Sequence, residues 1–184
     1  MASDPRRTFV LVDGENLDAT LGGSVLARRP EPEERPRWER LLSYAEELWG
    51  QPATGLFFLN ATAHLPNSFV SALLAIGYRP VPLSGKTTEK VVDLGIQRTL
   101  DALVGHSADV LLCSHDGDFL PHIERLVGTR KVGLVGFKEF VNAGFPAAGV
   151  EVHDLEYDVK AFNITLPRVR VISLDEFDPE EFLR

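Results

Sequence analysis

Four aspartates stand where they could do chemistry together. Asp13 ends an apolar run in "TFVLVDGENL", Asp93 lies in "TEKVVDLGIQRTLDAL", and Asp116 and Asp118 stand two apart in "LLCSHDGDFLPH". Carboxylates that close repel each other unless a cation, a helix N-terminus or solvent settles the charge. Several of them around one cleft suit a hard divalent ion, Mg²⁺ or Mn²⁺, which prefers oxygen ligands and keeps several of its waters. Such an ion orients a water, assists its deprotonation and stabilises charge on a phosphoryl oxygen. Capping is the plainer account of Asp116 and Asp118, since an anion near a helix N-terminus is worth about 0.3–1 kcal/mol. Capping gives no reason for Asp13 to sit at a neighbouring strand exit.

The elements that must position these acids are legible as alternating runs. "TFVLV", "ATGLFFLN", "DVLLCS" and "KVGLVGF" are continuous apolar stretches of the kind found in strands buried on both faces, and "YRPVPL" reads as a weaker fifth. Between them, "PRWERLLSYAEELWG", "LPNSFVSALLAIG", "TTEKVVDLGIQRTLDALVGH" and "DFLPHIERLVG" have helical period. The alternation predicts a three-layer, Rossmann-like α/β domain with a mainly parallel sheet. Ligands bind such sheets outside the carboxyl ends of the strands, where strand order reverses. Asp13, Glu15 and Asn16 follow the first strand, Asn60 the second, and Ser114, His115, Asp116 and Asp118 the strand "DVLLC". In the helix after "YRPVPL", Val92, Ile96, Leu100 and Leu103 face the core, while Lys90, Asp93, Gln97 and Asp101 share a neighbouring face. A solvated face accounts well for Asp101.

Composition bounds the classes. With 184 residues, 44% of them apolar and 9% aromatic, the chain can bury a core. It carries no run near the roughly 20 apolar residues of a membrane span, and its start lacks the layout of a secretory signal, so it reads as cytoplasmic with no membrane role. The single cysteine, Cys113, lies in an apolar run and reads as a buried small hydrophobe. A net charge of −8 argues against nucleic acid at first sight, but from residue 151 onward nine acids face four bases, leaving only −3 on residues 1–150. The stretch "ARRPEPEERPR" reads as a mobile, solvated surface loop. After residue 155 the α/β rhythm fades, although "RVRVI" alternates like an edge strand and "DPEEFLR" opens like a short capped helix. The tail's acids with Phe177, Phe182 and Leu183 suit packing on its own domain or on a dimer mate.

Several motifs mislead. Gly85, Lys86 and Thr87 imitate a phosphate-cradling loop, but its first glycine would fall at position 80, where Pro80 offers no N–H. Lys86 remains able to meet a phosphate, as one of four bases among residues 79–98. His115 beside Asp116 imitates a metal phosphohydrolase pair without the further histidines such sites need, and His122 reads as a polar residue near a helix start. A haloacid-dehalogenase-type phosphatase needs a second Asp two residues after the first; Asp13 is followed by Gly14, Glu15 and Asn16.

Taken together and in order, "FVLVDGENL", "EKVVDLGIQRTLDAL" and "VLLCSHDGDFLPHIERLVGTRKVGLVG" resemble the NYN family of PIN-like ribonucleases, over residues 8 to about 155. The resemblance implies Mg²⁺- or Mn²⁺-dependent cleavage of RNA that leaves a 5′-phosphate and a 3′-hydroxyl. It assigns Asp13, Asp93 and Asp116 as metal-binding acids with Asp118 as a further acid, Asn16 and Ser114 as supports of the site, and Lys90 as a phosphate contact. His115 departs from the glycine common there, and the segment after Tyr157 has no counterpart in the family. These implications set a nuclease domain at 1–155 and an extension at 156–184. A non-catalytic RNA-binding or regulatory module on the same fold is the alternative, and the sequence leaves a homodimer open.

Overall fold

The structure is a computed structural model and describes residues 6–183. The opening five residues, part of the start read for a secretory signal, and Arg184, the last residue of "DPEEFLR", lie outside the described residues. Six parallel strands form one sheet in the order β3-β2-β1-β4-β5-β6: β1 (Arg7–Asp13), β2 (Ala53–Asn60), β3 (Arg79–Leu83), β4 (Ala108–Cys113), β5 (Val132–Gly136) and β6 (Glu151–Asp154). The helices are α1 (Gly14–Thr20), α2 (Trp38–Trp49), α3 (Asn67–Ala75), α4 (Val91–Leu103), α5 (Leu120–Glu124) and α6 (Gly144–Ala147). Every residue of β4 and β5 is buried, which is why these strands read as unbroken apolar runs and not as alternating ones. β3 can only be an edge, because Pro80 and Pro82 have no N–H to offer a further strand.

The chain runs from β1 outward to β3, then returns past β1 to β4 and continues to β6. Strand order therefore reverses between β1 and β4, and their register sets Val12 beside Cys113, so both strands release the chain at the same level. Alternation along β2 sends Phe57 into the core beneath α1 and α2 and Phe58 into the core beneath α4 and α5. Val92, Ile96, Leu100 and Leu103 of α4 are buried against the second core, as their spacing predicts. Cys113 is fully buried.

Three expectations need correction. β6 is the true edge beyond β5, and "RVRVI" is not a strand; Val169 and Val171 are 98% and 96% exposed, since alternation alone makes no strand where no sheet remains to pair with. The stretch 27–37 is no free connector, because Glu34 is buried, receives Arg28 through two bonds of 2.6 and 2.7 Å and accepts the Glu31 N–H at 2.8 Å. Asp101 is not simply solvated; it holds His122 at 2.7 Å and also pairs with Arg125, tying α4 to α5. "DPEEFLR" does begin as read: Asp178 accepts the Glu180 N–H at 3.0 Å above a single 3₁₀ turn, Pro179–Phe182.

The extension has two parts. Helices α1 and α2 cover one face of the sheet only in part, and Val159, Ala161, Phe162 and Leu166 continue that layer over Val135 and Phe137. Arg40 of α2 donates to the carbonyls of Lys160 and Phe162, and Arg168 lies over the Phe137 ring while pairing with Glu139 and Glu156. Beyond Arg168 the large apolar side chains Leu174, Phe182 and Leu183 are exposed. Truncation after residue 168 should therefore shift the melting temperature by less than about 2 °C, whereas truncation after 156, which bares several core side chains, should lower it by roughly 10 °C or more. Equal melting temperatures for the two truncations would show that the strap is not part of the core.

Candidate metal centre

Asp13 is the last residue of β1 and the N-cap of α1, which aims its carboxylate into the space where strand order reverses. It is only 2% exposed, yet both oxygens are engaged: Oδ1 accepts the Asn16 N–H at 3.3 Å and Oδ2 accepts the Ser114 hydroxyl at 2.9 Å. The same Ser114 oxygen accepts the Asp116 N–H at 3.1 Å, so one fully buried hydroxyl fixes two acids from two strand exits. Gly14 follows Asp13 because the Phe57 ring occupies the place of a side chain; a Cβ there would lie 2.5 Å from the ring.

Asp116 caps the short 3₁₀ turn Gly117–Phe119 and accepts the Asp118 N–H at 2.9 Å. Capping thus explains the two-residue spacing of Asp116 and Asp118, and it uses one oxygen of Asp116. The first turn of α4 brings Asp93 to the same place from the other core layer, with the Lys90 ammonium 3.8 Å away. Asp13, Asp93 and Asp116 line one open cleft together with Glu15, Asn16, Asn60, Glu89 and Lys90. Asp118 is exposed and outside this lining, although its charge still acts on Asp93. Lys86 is likewise outside; its backbone N–H is taken by Glu89 at 2.7 Å.

Electrostatics tie the three acids together. Burial pushes the Asp13 carboxyl up to about 6, opposed by its bonds from Ser114 and Asn16 and reinforced by the charges of Asp93 and Asp116. Asp93 is raised too, first by burial and then by Asp116, with Lys90 opposing. His115 plays a different part. Its Nδ1–H meets Asn16 Oδ1 at 3.2 Å, its Nε2 accepts the Phe137 N–H at 2.7 Å, and burial lowers its pKa to about 4. The ring is neutral, stacks on Phe137, and fits only because Gly136 has no side chain. It binds the exits of β4 and β5 to α1, a structural role that no motif in the sequence announces. Asn60 lines the cleft as its strand exit predicts, whereas Glu89 is a cleft residue that carries no signal in the sequence beyond its charge.

Among the described residues no three His, Cys, Asp or Glu side chains are gathered closely enough to form an assembled metal centre. The donor set nonetheless fits a hard cation. Carboxylates and amides line the cleft, the only thiol is buried elsewhere, and the nearest imidazole has both nitrogens engaged. Among the described residues no helix is long and apolar enough to cross a membrane.

A parallel six-stranded sheet under two helical layers, with acids lining its topological switch point, fits the PIN-like nuclease-type fold that an NYN domain implies. The chain matches the family model of the NYN domain over residues 7–156 and belongs to that family, whose members are RNA-related and generally nucleases that use divalent metals. One solved structure with the same fold is a protein of unknown function from Vibrio parahaemolyticus, 17% identical, with a TM-score of 0.64 over 86% of this chain and 98% of that one. Comparison with curated proteins found no significant match.

Because burial favours the neutral acid, Asp13 adds stability below the ordinary carboxylate range and withdraws it as the pH rises through about 6. Asp13→Asn, without metal, should match or fall below the parent at pH 4. At pH 7.5 it should be on the order of 1–2 kcal/mol more stable, as read by urea unfolding. A difference that stays constant between these pH values would refute the charge account.

Proposed function

We propose that this protein is a metal-dependent ribonuclease that hydrolyses RNA phosphodiester bonds. The observation that supports this best is the convergence of Asp13, Asp93 and Asp116 from three separate elements onto one open cleft, where burial and the neighbouring carboxylates raise the proton affinity of Asp13 and Asp93. A fold has no structural use for such repulsion, whereas a cation relieves it. Asp13, Asp93 and Asp116 would hold one or two Mg²⁺ or Mn²⁺ ions, with Asp118 joining from the rim. When bound, the metal supplies an activated water and stabilises charge on the phosphoryl oxygens.

The chain's own residues supply position. Ser114 fixes Asp13 and Asp116 relative to each other, and Asn16 holds the His115 backbone N–H at 2.8 Å, locking the β4 exit against α1. Lys90, with its side chain 76% exposed at the cleft, would meet a backbone phosphate, and Lys86 a phosphate farther along the strand. None of the neighbouring Ser, Cys or His side chains suits a nucleophile: the Ser114 hydroxyl is donated to Asp13, the Cys113 thiol is fully buried with its pKa pushed up, and His115 is committed at both nitrogens. We therefore assign the attack to water; a 5′-phosphate and a 3′-hydroxyl are the products that the family resemblance implies. The lone buried cysteine suits a reducing compartment, and we read the protein as cytoplasmic. The nuclease unit, residues 1–155, is completed by the strap to Arg168; the tail beyond it is free to meet a second copy.

One observation favours a second reading, a binding module without turnover. The Lys90 ammonium beside Asp93 already takes up part of the charge that a cation would neutralise. Incubation with a labelled RNA panel in Mg²⁺, Mn²⁺ or EDTA, beside single-stranded and duplex DNA, separates the two. The parent should cut RNA only with metal, and Asp116→Asn, folded and as stable as the parent, should lose at least about 10²-fold in rate. Metal should raise the parent's melting temperature, and much less that of Asp116→Asn. RNA retained intact in every metal condition supports the module; undiminished cutting by Asp116→Asn reduces these acids to helix caps.

A further inference from the structure

Beside the acid cleft, with Glu15 as a common wall, lies a second cavity of about 340 Å³. It is mainly apolar, and Trp38, Phe57 and Phe69 form an aromatic wall in which Phe57 meets each of the other two edge to face at 5.3 Å. Phe69 is 38% exposed and so presents part of its ring to the cavity mouth. Charged groups are confined to Glu15 and to Asp18 and Arg35, which pair at 2.5 Å with both side chains roughly half exposed.

We propose that this cavity receives one nucleobase of the RNA strand whose backbone crosses the acid cleft. The inference rests on the RNA reading of that cleft. A base presents two apolar faces and a polar edge. The aromatic wall suits the faces, and the Arg35 guanidinium with the Asp18 and Glu15 carboxylates offers donors and acceptors to the edge. An exposed ion pair contributes little, so Arg35 can leave Asp18 for a base at little loss. An aliphatic ligand would use the wall but give these groups nothing to bond. Glu15 borders both sites, so a base seated here belongs to a nucleotide next to the phosphate held at the aspartates. Base–aromatic stacking would also supply the affinity that an acidic chain, with a net charge of −8, does not draw from phosphate contacts alone.

Trp38 reports on the cavity directly. The chain has two tryptophans, and Trp49→Phe leaves Trp38 as the single fluorophore. Titration in EDTA with the four ribonucleoside monophosphates should change its emission saturably, and ribose 5-phosphate should not. Phe69→Ala should weaken nucleotide binding roughly tenfold, and Arg35→Ala should change the order of preference among the four bases. In Mn²⁺, Phe69→Ala should raise KM for RNA with kcat retained. No response to any nucleotide, or an equal response to phenol, overturns the inference. RNA cutting that depends on Asp116 without nucleotide binding removes the base pocket and leaves the nuclease reading standing. Nucleotide binding without cutting removes the nuclease reading and leaves the pocket as the base site of a binding module.

Discussion

A nearly buried carboxylate at the end of the first strand is the constraint on which the rest of this structure turns. Asp13 cannot be moved into solvent, because β1 is the middle of the sheet and releases the chain directly beside β4. The protein answers that burden with donors supplied by its neighbours: a backbone N–H from the first turn of α1 and a hydroxyl from the β4 exit. The Ser114 hydroxyl gives its proton to Asp13 while its oxygen accepts the Asp116 N–H, and the two strand exits become one unit. These bonds offset the loss of water without removing the charge. Burial outweighs them, and the charges of Asp93 and Asp116 add to it, so the carboxyl keeps a high proton affinity.

Around this unit the fold is arranged to hold positions rather than to relieve repulsion. His115, neutral and engaged at both nitrogens, locks the β4 exit to α1 and to the start of the loop after β5. Glycines at 14 and 136 admit the Phe57 and His115 rings against the backbone. The strap through Arg168 covers the outer half of one sheet face, which the short α1 and the single long α2 leave open. The family match ends at residue 156, but the packed core does not.

The acid cleft and the aromatic cavity differ in the physics they can exploit. The cleft concentrates charge that only a cation or protons can balance, and it is open to solvent along one side. The cavity offers apolar area with a polar lip. A nucleotide is one of the few ligands with a part suited to each: an anionic phosphate that a metal can bridge to carboxylates, and a flat base whose faces gain by leaving water.

How much of this could be read from residues alone follows from the range of each interaction. Strand positions and helix faces depend on patterns within about ten residues, so the parallel α/β class, the buried period of α4 and the placement of Asp13 and Asp116 at strand exits were all legible. The edge roles of β3 and β6 were less so; β3 announces itself through Pro80 and Pro82, whereas β6 is four residues long and gains its partner only when β5 is in place. "RVRVI" shows the converse, a local strand pattern with no free sheet edge to receive it. The sequence determined which side chains could carry charge near one another and in which order the elements come. Tertiary structure alone decided that Asp93 joins Asp13 and Asp116 while Asp118 and Lys86 stay outside, that Asp101 is claimed by His122 and Arg125, and that His115 is a clamp. The Asp13–Ser114, His115 and Asp101–His122 contacts join residues 21 to 101 positions apart, whose distance is fixed by how the layers pack and leaves no trace in local spacing.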